Sequence, residues 1–498
     1  MSILLFNPRS NNYKPRIPNS VLQVAASIDA KYDWVIVDGN LEQNPIEKIE
    51  KLIVERRIKY CGFTVMPGPQ LKQAIPFAKQ LKEKFPNLKM IWGGYFPSNH
   101  ANVVLQSGYV DFIVNGMADV AFPQLIHALE KGDSIATVPN LIYLEHEEIT
   151  TNPKDGIYEL DTLSPLPYTK LNELYPFQKY LGKTYLGTKT IAYHSSFGCP
   201  FTCSFCAVVP IYNARWKGKS AKLIYQDIKF LKDHFGGNAI EFHDNNFFVS
   251  EKRTTEFANL IMHDNMTWWG EGRIDTIDKY SDHSLETIRK SGCKMIFFGA
   301  ETGNDKLLKM MDKGGTQTAE QIRRFANRMH QFDIIPEYSF VLGMPAPTQE
   351  LVWEQIRSDI DFIKQIKDTN PDAEIIIYVY SPVPQEGSEL YKSAKTEGFK
   401  FPTTLEEWIS PSWENFDLRK NPLTPWLTPE MIAYIKNFET VLNGYFPTVS
   451  DYKLKSWQRN LLKTSAMWRY KSSSYAFPYE IKTLNKLFKY RQPEIEGF

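Results

Sequence analysis

Cysteine is scarce in this chain, with five in 498 residues, far below the density of a disulfide-stapled fold. An excess of one charge is missing too: 58 Lys and Arg stand against 57 Asp and Glu, a formal net charge of +1. That balance excludes a globally basic nucleic-acid binder, so no nucleic-acid partner is expected. No run reaches the ~18 to 20 consecutive apolar residues of a membrane-spanning helix. The opening MSILLFNPRS is an apolar strand with no basic region before it, and a cytoplasmic location is expected. Disorder is excluded by 43% hydrophobic residues, enough to bury cores. At roughly 150 residues per domain, the length corresponds to about three domains.

Short apolar runs recur from Ile3 onward: ILLFNP, WVIVDGN at 34–40, YCGFTVMPG at 60–68, MIWGGYFPS at 90–98 and FIVNG at 112–116. Such runs ending in Gly, Pro or Asn, with helix-like stretches of about 20 to 30 residues between them, are the βαβ signature of a parallel, Rossmann-like doubly wound sheet. The segment spans residues 1–135. Ligands of such sheets sit at the carboxyl ends of the strands. Those ends carry Asn7, Pro8 and Arg9, then Thr64, Met66 and Gly68, then Gly93, Gly94 and Tyr95, and Gly116. Their glycines either admit something large against the backbone or form tight βα turns, and spacing alone does not separate the two. The segment lacks GxGxxG, which counts against NAD.

Residues 136–187 read as a surface connector, with a hairpin at NLIYLEHEEITTN and proline punctuation at LSPLPYTKLNELYPF. From 188 to 400 six strand-like runs return, each followed by a charged helical stretch: TIAYHSS, NAIEFHDNNF, MTWWGEGRID, KMIFFGAETG, EYSFVLGMP and EIIIYVYSPVP. Six β/α units predict a partial (β/α)6 barrel of TIM type, with chemistry at the strand C-termini. Residues 401–498 show no strand period and read as an α-helical domain. Its stretch 452–491 holds ten Lys or Arg against one acid, Glu480, interleaved with aromatics.

Three of the five cysteines, Cys199, Cys203 and Cys206, form Cys-x3-Cys-x2-Cys just after the first barrel strand. Soft thiolates in a tight loop suit iron-sulfur or zinc. Structural zinc wants four ligands, usually in two pairs, and there is no second CxxC. Cys61 and Cys293 flank apolar runs where buried, inert thiols are expected. Three thiolates on a [4Fe-4S] cube leave the fourth iron free to bind something else. Zinc completed by His194, or three cysteines packed as small hydrophobes, are the alternatives.

These residues resemble the radical S-adenosylmethionine (SAM) enzymes, whose CxxxCxxC motif is matched in full with the usual aromatic, Phe205, before the last cysteine. The resemblance implies that the open iron chelates SAM and that Phe205 lies near its adenine. At later strand ends, in EFHDNNF, EGR, GAETG, GMP and PVPQEG, it implies SAM contacts for Asp244, Arg273 and Glu301. A Rossmann-like segment placed directly before such a barrel resembles the cobalamin-dependent (class B) members of the family. The resemblance covers about residues 1 to 400 and implies that the ten strand-end residues from Asn7 to Gly116 contact cobalamin. The Asp-x-His-x-x-Gly loop that supplies an axial histidine in other cobalamin proteins is missing. His100 and His127 are the segment's only histidines, so cobalamin without a protein ligand is expected.

The implied activity is methylation of an unactivated carbon, or less often phosphorus, by way of a 5'-deoxyadenosyl radical and methylcobalamin. The implied cofactors are a [4Fe-4S] cluster, SAM and cobalamin. The implied partners are a small-molecule or lipid-like substrate and an external one-electron reductant of flavodoxin or ferredoxin type. One alternative is a non-methylating reaction such as oxidative cyclisation of a tetrapyrrole. Another, from a different class, is a corrinoid-binding or electron-transfer protein. For the basic tail three readings stand: a solvated face packed on the barrel, steering of an anionic substrate, or peripheral contact with an anionic membrane.

Overall fold

A computed structural model of the chain describes residues 2–10, 15–313, 317–384, 388–414, 423–447 and 454–488. Residues 385–387 of the PVPQEG strand end lie outside the described residues, as do Tyr452, Lys453, Lys489, Tyr490 and Arg491 of the basic tail. The first sheet contains β1 (Ser2–Asn7), β2 (Asp33–Asp38), β3 (Tyr60–Thr64), β4 (Lys89–Gly93), β5 (Phe112–Val114), β6 (Leu141–Glu145) and β7 (Glu148–Thr151). Its strand order is β2-β1-β3-β4-β5-β6-β7, parallel through β5 and antiparallel after it. Alternation within β1 explains why the sequence reads as a continuous apolar run. Ile3 and Leu5 join one core while Leu4 and Phe6 join the other, so both faces are covered. The β6–β7 hairpin, expected within a surface connector, pairs on β5 and extends this sheet.

The second sheet holds β8 (Thr190–Tyr193), β11 (Ala239–Phe242), β12 (Thr267–Gly272), β13 (Cys293–Glu301), β14 (Ile335–Leu342) and β15 (Glu374–Val379), all parallel and in chain order. This is the open six-stranded barrel. Between its first two strands, β9 (Ser196–Gly198) and β10 (Trp216–Gly218) form an antiparallel ribbon on either side of the cysteine loop, which was not read from the sequence. Side chains alternate along the strands. Ile240, Phe242, Trp268, Ile296 and Phe298 pack outward into the core, while Glu241, Trp269, Glu271 and Phe297 occupy the other parity and face the lumen. Trp268 packs edge-on against Phe242 and Phe257 and is fully buried; its replacement by Ala would cost about 3 to 5 kcal/mol.

Helices of the barrel begin where polar caps stop the strand-end loops. Ser220, Ser250, Ser281, Thr318 and Thr348 each accept the backbone N–H three residues on, a cap worth about 1 kcal/mol apiece. After the barrel the chain returns to the first sheet. Leu405 and Trp408 are buried in the core on one face of that sheet, and helices Pro429–Tyr445, Ser456–Lys471 and Tyr479–Phe488 follow.

Candidate active site

The carboxyl ends of the two sheets meet. The Asn245 amide, just past β11, donates to the Tyr95 hydroxyl, just past β4, at 2.7 Å. The Asn99 amide donates to the carbonyl of Ala207 at 3.3 Å, beside the cysteine loop. Asn19 donates to the Ala192 carbonyl at 3.0 Å. Strand-end residues of the first sheet therefore lie against the cysteine loop and the strand ends of the barrel.

Cys203 is buried, and Cys199 and Cys206 are half-buried. Burial pushes the Cys199 thiol up and the Cys206 thiol up to about 12. In the free chain these groups hold their protons, and a metal must displace them. Among the described residues, no three His, Cys, Asp or Glu side chains are grouped about a single point. His194, the fourth ligand of the zinc alternative, is kept neutral by burial and neighbouring cations and lies 3.3 Å from the Asn19 amide. The loop is docked from the far side of the barrel. The Ser204 N–H donates to the Met311 carbonyl at 2.8 Å, and the Thr202 hydroxyl donates to Asp312 at 2.6 Å.

Each SAM candidate has a distinct setting. Phe205 lies 5.5 Å from the Lys313 ammonium, and Lys313 donates to Glu301 at 2.6 Å in a pair buried to 6% and 4% exposure. Glu301 adopts φ +66° at a register break between β13 and β14. A non-glycine residue held there costs about 1 to 3 kcal/mol and is characteristic of functional sites. Arg273 is buried at 5%. Its guanidinium donates to Asp275 through Nε and Nη2, to the Lys313 carbonyl at 2.6 Å, and to Cys203 Sγ at 3.1 Å. It therefore addresses the cysteine loop. Asp244 is fully buried and accepts from the Ser195 N–H at 2.6 Å and the Ser196 hydroxyl at 2.8 Å, with a further short contact from the Ser195 hydroxyl. Both its oxygens brace the β8–β9 connection.

The first-sheet candidates fall into two groups. Asn7 and Arg9 tie loops together: the Asn7 amide donates to Asp38 at 3.1 Å, and the Arg9 guanidinium donates to the Gly39 and Glu42 carbonyls. Pro8 is held through its carbonyl by the Gln70 amide at 3.1 Å. Thr64 is met by the Ser20 hydroxyl at 3.1 Å. Gly94 has φ +100°, and a Cβ there would lie 2.7 Å from the Val65 carbonyl, so this glycine is required by the backbone itself. The second group is open. Met66 is 41% exposed, a Cβ on Gly68 would meet nothing within 4 Å, and those on Gly93 and Gly116 would meet nothing closer than 3.7 Å. His100 is excluded from the strand-end surface, since its ring is boxed by Phe96, Phe401 and Trp408.

Several buried polar groups at the strand ends were not singled out from the sequence. The buried Ser98 hydroxyl and the side-chain oxygens of Asn99 and Asn115 have no hydrogen-bond partner among the described residues. All three follow β4 or β5, where an amide-rich corrin would supply partners. The buried Asn246 amide, beside Cys199, finds no nitrogen or oxygen partner among the described residues. Glu271, at the end of β12, makes no hydrogen bond or ion pair among them either, and burial, reinforced by the charge of Asp244, raises its carboxyl to about 8. Glu241 behaves oppositely. Burial is the largest influence and would raise it, but Arg16 at 3.0 Å and the His243 ring together outweigh that and hold it below the ordinary value. No local pattern marks these groups, because their environment exists only once two sheets meet.

The fold and the cysteine loop define the class. Residues 193–357 match the radical SAM superfamily, and that segment is a radical SAM domain. Over 98% of both chains the fold is that of the radical SAM methyltransferase TsrM of Kitasatospora setae, solved with its tryptophan substrate and a SAM analogue, with a TM-score of 0.68 at 14% identity. A second structure of that protein, with cobalamin and a [4Fe-4S] cluster bound, gives 0.67. The whole chain therefore shares the fold of that methyltransferase. More particularly, it is 24% identical over 375 residues to an uncharacterised methyltransferase of Pyrococcus horikoshii, covering 74% of this chain and 78% of that one. It is 28% identical over 398 residues to the anaerobic magnesium-protoporphyrin IX monomethyl ester cyclase of Synechocystis sp., covering 76% and 75%.

Proposed function

We propose that this protein is a cobalamin-dependent radical SAM methyltransferase that methylates an unactivated carbon, or a phosphorus centre, of a small or lipid-like molecule. The observation that carries the reading is the meeting of the two sheets at their carboxyl ends, where the Asn245 amide of the barrel donates to the Tyr95 hydroxyl of the first sheet at 2.7 Å. When bound, cluster and SAM supply a hydrogen-abstracting radical and cobalamin supplies the methyl group. The chain's part is to hold, orient and exclude water. Cys199, Cys203 and Cys206 each anchor one iron. Phe205 and the Glu301–Lys313 pair border the loop on its barrel side and are the residues we assign to SAM. Arg273 sets the position of Cys203, and Asp244 fixes the entrance through Ser195 and Ser196. Gly68, Gly93 and Gly116 leave room for the corrin, and Ser98, Asn99 and Asn115 meet its amides. We place the three parts at 1–135, 188–400 and 401–498, and expect electrons from an external flavodoxin or ferredoxin.

SAM accounting tests the reading. Methylation consumes two SAM and yields equal 5'-deoxyadenosine and S-adenosylhomocysteine. Substrate-dependent 5'-deoxyadenosine with S-adenosylhomocysteine at background overturns it and favours oxidative cyclisation, the second reading, which the 28% identity to a cyclase supports.

A further inference from the structure

Seven of the thirteen exposed large apolar side chains among the described residues fall between positions 457 and 487. In helix Ser456–Lys471 the residues packed inward are Leu462, Ala466, Arg469 and Tyr470. At 100° per residue, Trp457, Leu461 and Trp468 fall within about 40° of one another on the opposite side. They are 58%, 41% and 54% exposed. A single amphipathic helix needs one apolar face for its core, and this helix has two. The antiparallel helix Tyr479–Phe488 lies alongside, with Trp457 edge-on to Phe488 at 5.5 Å. It adds Tyr479 and Leu487, 66% and 70% exposed.

The charge around this surface has one sign. Lys455, Arg459, Lys471 and Lys486 are exposed, while Lys463 and Lys482, also exposed, turn toward Tyr445 and Asn437 of helix Pro429–Tyr445. The one acid among the described residues of 454–488, Glu480, is taken by Arg469, whose guanidinium also caps the Ala476 and Phe477 carbonyls. A second copy of the chain seated here would bring these cations against their own kind with no acid to meet them. Exposed tryptophans on a hairpin whose exposed charges are all basic match the boundary layer of a bilayer with anionic headgroups, where an indole sits at the apolar edge and ammonium groups remain among the phosphates. No helix among the described residues is long and apolar enough to cross a membrane, so the contact is peripheral. We propose that the hairpin of helices 456–471 and 479–488 docks the protein on an anionic phospholipid surface. This inference is independent of the assigned chemistry.

Co-sedimentation of the full-length chain with vesicles tests it. Phosphatidylglycerol–phosphatidylcholine vesicles are expected to pellet the protein at low salt, and pure phosphatidylcholine vesicles to bind at least tenfold more weakly. Binding is expected to fade at several tenths molar salt, as the Debye length shrinks to about 5 Å. L461S/W468S, which removes two of the three residues of the outward stripe, and K471E/K486E, which leaves it intact, should each weaken binding at least tenfold with an unchanged circular dichroism spectrum. Failure to pellet with anionic vesicles at low salt overturns the proposal. So does undiminished binding by K471E/K486E, and so does a solution dimer abolished by L461S/W468S in the absence of vesicle binding.

Discussion

Arg273 points a guanidinium nitrogen at the sulfur of Cys203 from 3.1 Å, and the same side chain is clamped by Asp275 at 2.8 Å. A fixed positive charge beside a cluster thiolate favours the more negative, reduced cluster. Removing Arg273 alone would break a buried ion pair at a cost of about 3 to 5 kcal/mol, so the informative variant removes both charges. R273Q/D275N is expected to keep about full iron content and to lower the midpoint potential by some tens of millivolts, where ~59 mV is a tenfold change for one electron. R273K, which keeps the charge, should stay near wild type. Potentiometry followed by paramagnetic resonance decides; an unchanged potential in the double variant would show that Arg273 only packs the loop.

Iron stoichiometry separates the cysteines. Cys61 and Cys293 are fully buried in β3 and β13, and burial raises both thiols. C61A and C293A should retain about four irons per chain, whereas C199A, C203A and C206A should each lose the cluster signal. Loss of cluster in C61A or C293A, with retention in one of the other three, would refute the ligand set.

Much of this was legible in the sequence because it is written locally. β1 reads as a strand from six residues, and the cysteine motif from eight. The order of parallel strands and their ligand-facing ends follows from βα chemistry that every unit repeats. What stayed hidden depends on distant partners. The β6–β7 hairpin looked like a connector because its pairing with β5 is not encoded in its own residues. Asp244 was read as a SAM contact, and its bonds to Ser195 and Ser196, nearly fifty residues upstream, could not be read from its own segment. His100 is drawn into an aromatic box by Trp408, three hundred residues downstream.

Two neighbouring glycines should behave differently. A Cβ at Gly94 strikes the Val65 carbonyl and the residue has φ +100°, whereas a Cβ at Gly93 has only the Val114 carbonyl at 3.7 Å. G94A should destabilise the protein itself, by about 1 to 3 kcal/mol from backbone strain and more from the clash. G93A should melt with wild type yet bind cobalamin more weakly, because its methyl group enters the ligand's space. Thermal melts with and without cobalamin check both, and equal cobalamin affinity in G93A would remove that glycine from the binding surface.

The pH dependence of stability should carry the mark of Glu271. Its carboxyl is raised from 4.5 to about 8, by burial first and the charge of Asp244 second. Between those values the folded chain holds a proton that the unfolded chain has released, so stability falls as pH climbs from about 4.5 to 8 and levels off above that. One unit is worth about 1.4 kcal/mol at most, and partial access to water reduces the total to the order of 1 to 2 kcal/mol. Asp119 and Asp359, raised by burial to about 6 and 7, contribute the same slope to any variant that retains them. The comparison is therefore wild type against E271Q, which cannot ionise. The two should melt within about a degree of each other at pH 5, and E271Q should be the more stable at pH 8. Identical differences at both values would mean that Glu271 is already charged in the folded protein and is held by something beside it.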